Sequence, residues 1–418
     1  MAERQGDAAE LPVWARRIRA ERAARGWSQN QAVAALRAHA GDDVRLAGTS
    51  SLLRNWKRWE AGDAEPDGFY KPLVAATFGT VTAAFFPAPQ SDVRGTDILG
   101  GSGMDTLEIL ARLGASDVSP AVLDGMHVAV ERLNTDYSHV SPVVLVEEGQ
   151  RWLRRLISLR EGRLSLAQHR EVLSLAGQVA RLVGCVEYDM GRRTAAEATR
   201  RAALSLGLES GDADVVGWAH EMRSWFSLTE GDHRAAIAAA QAGLAAAGTA
   251  HSVGVQLWAH QAKAWARIGD RRQVEVALDR GRGLLEGLPC PQNPGDHFVV
   301  DPSKWDFYTM DCYRHVGEDR LAATYAEEVI RSSSTPDGAV RKPMRVAEAH
   351  ITLGVVAARA GDLEAALAAG QAALAGDRRS LPSLVMNSRE LAAELQHRYP
   401  DDGRVAGYVG ELRAAAAA

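Results

Sequence analysis

Five glycines, each followed five residues later by a small or β-branched apolar residue, constrain this chain most. The pairs are Gly191/Ala196, Gly231/Ala236, Gly269/Val274, Gly317/Ala322 and Gly361/Ala366, at intervals of 40, 38, 48 and 44 residues. In four of the five, Asp or Glu directly follows the glycine. A period of this length predicts a solenoid of helix-turn-helix units, each burying its face only against its neighbours. The apolar content of 46% is mostly Ala and Leu with few aromatics, which favours helix throughout. The clearest unit, 347–377, has Gly354 seven residues before Gly361 and Ala373 twelve after it.

With 418 residues, the chain exceeds one ordinary domain. The formal net charge of −5 conceals an asymmetry. Between Leu11 and Gly62 there are ten Lys/Arg against four acids, a surplus of +6, which leaves −11 for the rest. A basic head on an acidic body suits a polyanion-binding module whose body is repelled by the same polyanion. No run reaches the roughly 20 apolar residues of a membrane span, and residues 1–10 lack the apolar core of a signal peptide. A cytoplasmic, nucleoid-associated location is therefore expected, with no membrane partner. Cys185, Cys290 and Cys312 are far apart and not in Cys-x-x-Cys spacing, so they read as buried thiols.

Within the basic segment, the spacing predicts a first helix from Trp14 to Arg25, with Trp14 and Ile18 inward and the arginines outward. Gly26 stops it. Ser28 and Gln31 form a capping box for a second helix with Ala32, Val33 and Leu36 inside. After an insertion at 40–48, Thr49 or Ser50 caps a third helix. Its Leu52, Trp56 and Trp59 fall at i, i+4 and i+7 on the inner stripe, leaving Arg54, Asn55, Lys57 and Arg58 outside. Arg suits guanine, Asn suits adenine, and Lys more often meets phosphate. Tyr70–Phe78 is the closing helix, with Phe69, Leu73 and Phe78 covering the core; Val81–Phe86 packs against it. From Ala88 to Gly103 the composition shifts to Pro, Gly, Ser and Asp, a flexible connector with no phosphate-binding pattern.

Ser28-Gln29 opening the second helix and Trp59-Glu60-Ala61-Gly62 closing the third resemble the lambda-repressor-like helix-turn-helix of xenobiotic-response-element/Cro-type bacterial repressors. The connection at 37–50 is longer than in that family. The resemblance implies that Ser28 and Gln29 lie at a backbone phosphate and that Arg54, Asn55 and Arg58 face base edges. It also implies double-stranded operator DNA as partner, and because one recognition helix contacts only a few base pairs a homodimer is expected. The body, including Trp152-Leu-Arg-Arg155, Gly184–Gly191 and Gly217–Met222, resembles the tetratricopeptide sensor half of actinobacterial regulators with this same head. That likeness implies an effector, either a small molecule, a peptide or a protein partner.

The expected fold is all-α: 1–10 disordered, 11–88 the helix-turn-helix domain, 89–104 linker, 105–175 helical connector, and 176–418 the repeat sensor and dimerisation domain. Counting back from each turn glycine, as in a tetratricopeptide unit, brings Gln178, Arg181, Cys185 and Tyr188 to the concave side in the first unit. The third unit contributes Gln256, Lys263 and Arg267, and the fourth Lys304, Phe307, Asp311 and Arg314. Such a groove is polar and mostly basic, suited to an anion. In the second unit, counting from Gly231 puts Trp218 and Trp225 in the groove. Alignment with the identical Trp-Ala-His pattern at Trp258–Trp265 puts them in the core and Arg223 in the groove, and the i, i+4, i+7 stripe with Met222 favours the core. No catalytic or metal-binding constellation stands out and no cofactor is implied; Asp301-Pro-Ser-Lys304 reads as a bridge between repeats. Two rival readings are an interaction scaffold with a docking head and a regulated enzyme such as a phosphatase.

Overall fold

The computed structural model describes residues 11–40, 46–86, 118–160, 162, 164–335, 339–376 and 378–417. The terminus 1–10, the linker 89–104, residues 105–117 of the connector, 41–45 of the insertion and 377 lie outside the described residues. The chain divides into two compact units, 1–90 and 91–418. Both are helical; among the described residues the only extended pairing is an isolated bridge between Ser334 and Val340. No described helix is long and apolar enough to cross a membrane.

The first unit contains α1 (Val13–Ala24), α2 (Gln29–Ala40), α3 (Thr49–Ala61), α4 (Tyr70–Thr77) and α5 (Thr82–Phe85). Ile18, Val33, Leu36, Leu52, Trp56, Trp59, Phe78 and Phe85 form its core. The capping box is present: the Gln31 N–H donates to Ser28 Oγ at 3.2 Å and the Ser28 N–H to Gln31 Oε1 at 2.7 Å. At the end of α3, Gly62 takes φ +80°, and a Cβ there would lie 2.9 Å from Pro12 Cδ, so both conformation and space demand glycine. Three expectations need correction. Arg17 is buried, beside Glu21 and over the Phe85 ring, because Glu21 is itself buried and needs cations. Phe69 is 51% exposed, since it precedes α4 and its ring only edges Tyr70. Gly48, with no side-chain cap, precedes α3 in place of a Thr49 or Ser50 cap.

The second unit opens with α6 (Pro120–Asp136) and α7 (Pro142–Leu159), then α8 (Leu166–Asp189) and α9 (Arg193–Ser210), α10 (Ala213–Glu230) and α11 (His233–Ala247), α12 (Val253–Ile268) and α13 (Arg271–Gly287). It continues with α14 (Pro302–His315) and α15 (Asp319–Ser332), α16 (Pro343–Ala360) and α17 (Leu363–Leu374), and α18 (Leu381–Arg398) and α19 (Gly403–Ala417). The five anchor glycines join α8/α9, α10/α11, α12/α13, α14/α15 and α16/α17, all at positive φ, and all five partner residues are buried. Asp232, Asp270 and Asp362 accept the backbone N–H three residues on, as N-caps. The pair α18/α19 lacks an anchor glycine and escapes the repeat count. The 175/176 boundary falls inside the unbroken helix α8, so the repeat body begins by Leu166.

The stretch after α13 does more than bridge neighbouring repeats. Its His297 ring lies 3.7 Å from Tyr137 between centroids, and the His297 N–H donates to the Asn134 carbonyl at 3.2 Å. Asp301 caps α14 and pairs with Lys342 at 3.1 Å and Arg345 at 2.9 Å, tying α14 to the start of α16.

A Cβ at Gly231 would meet nothing within 4 Å, so Gly231→Ala tests backbone strain alone. It should cost about 1 kcal/mol in urea denaturation, and Asp232→Ala, by removing the cap to Ala235, a similar ~1 kcal/mol.

Candidate nucleic-acid interface and polar seam

The inward stripe of α3 is as the spacing predicts. Leu52, Trp56 and Trp59 are buried, with Trp56 against Trp59 and Phe78. Arg54, Lys57 and Arg58 are exposed and Asn55 is half-buried. What fixes this face is Glu60, buried at the end of α3. Its carboxylate accepts Trp56 Nε1–H at 2.8 Å, Arg22 at 2.5 and 3.1 Å, and the Gln29 amide at 2.8 Å. Arg19 adds a bond to the Glu60 carbonyl at 2.9 Å. One carboxylate thereby ties α1, α2 and α3 together. Burial alone would raise its pKa, but the bonds from Arg22, Gln29 and Trp56 outweigh it and hold Glu60 below the usual carboxylate range. Gln29, expected at a phosphate, is half-buried and gives one amide hydrogen to Glu60; Ser28 is exposed. Glu60 was visible in the sequence only as part of the closing motif.

The same economy applies across the basic segment. Arg22 and Arg25 also bond the carbonyls of Trp27 and Phe78, Arg25 pairs with Glu21, and Arg37 bonds the Ala47 carbonyl. Arg54, Lys57 and Arg58 have no hydrogen-bond or ion-pair partner among the described residues.

In the body, eight of the nine predicted ligand positions are brought together, but not as an open basic groove. Arg181, Gln256, Lys263, Lys304, Asp311 and Arg314 are buried polar groups, Phe307 is buried, and the Arg267 side chain is 7% exposed. Each cation meets an acid or carbonyl from a neighbouring segment. Arg181 pairs with Asp214 at 2.7 Å and lies 4.2 Å from the Phe298 centroid. Gln256 donates to Glu221, and Lys304 donates to the His297 carbonyl at 2.8 Å. Lys263 lies 3.8 Å from Asp311 and 3.9 Å from Glu348, over the Phe307 ring. Arg267 grips Asp311 through two bonds of 2.7 and 3.0 Å, and Arg314 reaches it at 2.7 Å. Arg223 alone stays exposed, outside the cluster. The correction has a simple cause, since a column of cations this deeply buried requires counter-charge.

Much of that partnership comes from α18. Leu381 packs at the Gly191 turn after α8, Ser383 accepts Trp225 Nε1–H of α10 at 2.9 Å, and Asn387 Oδ1 accepts from Arg267 of α12 and Arg314 of α14. Asn387 then donates to Glu348 of α16 at 2.9 Å, while Glu390 accepts from Arg314 at 2.9 Å and Arg359 at 3.3 Å. One helix thus touches the first members of five pairs in succession. Trp218 is core, whereas Trp225 is half-buried and turned toward α18.

Burial acts on these groups in opposite senses. It pushes Glu221 up and Lys304 down, and with Lys263 and Lys304 nearby lowers His260 to about 3. For Asp311 burial is outweighed by Arg267, Lys263 and Arg314, which hold it well below the carboxylate range. Cys185 and Cys312 are buried as expected, burial pushing Cys312 up to about 12, but Cys290 is exposed in the segment after α13.

No protein-family model, curated protein or solved structure matches this chain.

Two outcomes follow for stability. Because the folded pKa of Glu60 lies below its unfolded value, its contribution is complete above about pH 4.5 and fades as pH falls through the folded value. Acid titration of the first unit's tryptophan fluorescence should therefore show a loss that Glu60→Gln flattens. Asp311→Ala, which strands Arg267 and Arg314, should destabilise the body by roughly 3–5 kcal/mol in urea denaturation.

Proposed function

We propose that the chain is a sequence-specific DNA-binding transcriptional regulator. In this reading the first unit is a helix-turn-helix of the xenobiotic-response-element type, and the body is a tetratricopeptide-like sensor. The observation that carries it is the contrast within the basic segment. Arg17, Arg19, Arg22, Arg25 and Arg37 bond inside the unit, while Arg54, Lys57 and Arg58 stand exposed on one face of α3 without partners among the described residues. A helix held from behind by Glu60 and two tryptophans, with three uncommitted cations and Asn55 in front, has the chemistry to enter a major groove. Arg54 and Arg58 match the bidentate edge of guanine, Asn55 that of adenine, and Lys57 a phosphate.

One such helix reads only a few base pairs, so two copies about a two-fold would double the contacts on a palindromic operator. In the body, Ser383, Asn387 and Glu390 already satisfy the polar groups that an effector would address. An effector on that seam therefore acts by exchange with α18, shifting the population between two packings.

The test is binding of the full chain to duplex DNA across a salt series. Affinity should fall steeply with salt. Lys57→Ala should weaken every sequence alike and reduce the salt slope by about 1, whereas Arg54→Ala should cost about 1–3 kcal/mol and relax preference at one base position. Binding that is absent, or indifferent to salt, overturns the reading.

A further inference from the structure

We infer that α7 is a self-pairing surface, which two copies of this chain bring together antiparallel about a two-fold axis. The inner side of α7 is spent on the body: Leu145, Val146, Gly149, Trp152 and Leu156 are buried. Its outer side is a second ordered stripe. Val143, Glu147, Gln150, Arg154 and Ile157 recur at intervals of 4, 3, 4 and 3 residues, the spacing by which one helix presents a seam to another. All five are exposed, Val143 at 49% and Ile157 at 58%, with Val144 at 47% beside them. Neither Glu147 nor Arg154 has an ion-pair partner among the described residues.

The order of the stripe selects the partner. It runs apolar, acidic, polar, basic, apolar, with a centre between Gln150 and Arg151. An antiparallel copy turned about that centre sets Glu147 against Arg154 twice and Val143 against Ile157 twice, while Gln150 lies near the axis. Val143 and Ile157 then lie about 11 and about 10 Å from the axis at 1.5 Å rise per residue, so opposite ends nearly coincide. The favourable field of the helix ends accounts for charge order only within the terminal turns, and Glu147 and Arg154 both lie between those turns, so the helix ends do not explain their order. Beside Ile157 a mostly apolar depression of about 370 Å³ opens between Leu153, Leu156, Val172, Leu173 and Leu206, with Arg160, Ser205 and Glu209 also in its lining. In the antiparallel arrangement each copy's Val143 approaches the Ile157 edge of the other's depression, so the surface supplies both knob and hollow. A contact built this way is isologous and closes as a dimer. It holds whatever the head binds.

Sedimentation velocity of the full chain without DNA tests it through charge exchange. The wild type should sediment as a dimer. Glu147→Arg alone places Arg against Arg, and Arg154→Glu alone places Glu against Glu, so each should raise the dimer dissociation constant on the order of tenfold or more. An equimolar mixture of the two single variants regains both opposite-charge pairs and should dimerise as the wild type does; so should the double variant. A misfolded variant would not be rescued by mixing, which separates lost contact from lost structure. A monomeric wild type, single variants that dimerise unchanged, or a mixture that stays monomeric each overturns the proposal. Because DNA is absent, none of these outcomes bears on the proposed regulator role.

Discussion

The body depends on one buried carboxylate. Asp311 sits between Arg267 and Arg314, with Lys263 close by, and could not be ionised there without them, nor they without it. Two arginines on one aspartate still leave guanidinium hydrogens unsatisfied, and these go to Asn387, Thr352 and Glu390. The need to complete these bonds brings α18 against helices far away in sequence. Packing alone would not select it, because its seam-facing residues include Ser383, Asn387 and Glu390 and would be poorly served by an apolar surface.

The first unit solves a smaller version of the same problem. Glu60 collects Trp56, Arg22 and Gln29 from three helices. The internal acids Glu21 and Glu60 take arginines of α1 and its C-cap, and among the described residues Arg54, Lys57 and Arg58 of α3 stay without such a partner. A high local positive charge is therefore a poor guide to the interface by itself; the informative quantity is the charge left after internal pairing.

What was legible in the sequence is local. The Ser28/Gln31 box, the Leu52-Trp56-Trp59 stripe and the five glycine turns depend on contacts within a few residues or on one helical face, so spacing reveals them. What was illegible spans long separations. Arg314 and Asn387 are 73 residues apart, and Arg378, which bonds the Tyr137 carbonyl, is 241 from it. Counting back from each glycine correctly brought Arg267, Asp311 and Arg314 to one place, but read their face as open because α18 carries no anchor glycine. Arg17 and Phe69 were misplaced for a related reason: amphipathic spacing treats every arginine as outward and every phenylalanine as inward, whereas a buried Glu21 reverses the first and the chain's entry into α4 the second.

The reach of α18 also bears on how the body is made. In a linear array of helix pairs, each new pair can settle on its predecessor as it leaves the ribosome, and stability accumulates by neighbours. Here α18 is synthesised after all five pairs whose seam it completes. Until it arrives, Arg267 and Arg314 lack Asn387, and Arg314 and Arg359 lack Glu390. The earlier pairs can form, yet their shared seam stays incomplete and wet, so its final consolidation is a single late event rather than the sum of successive ones. The same closure makes the body one cooperative block, in which loosening α18 is felt in all five pairs it touches at once.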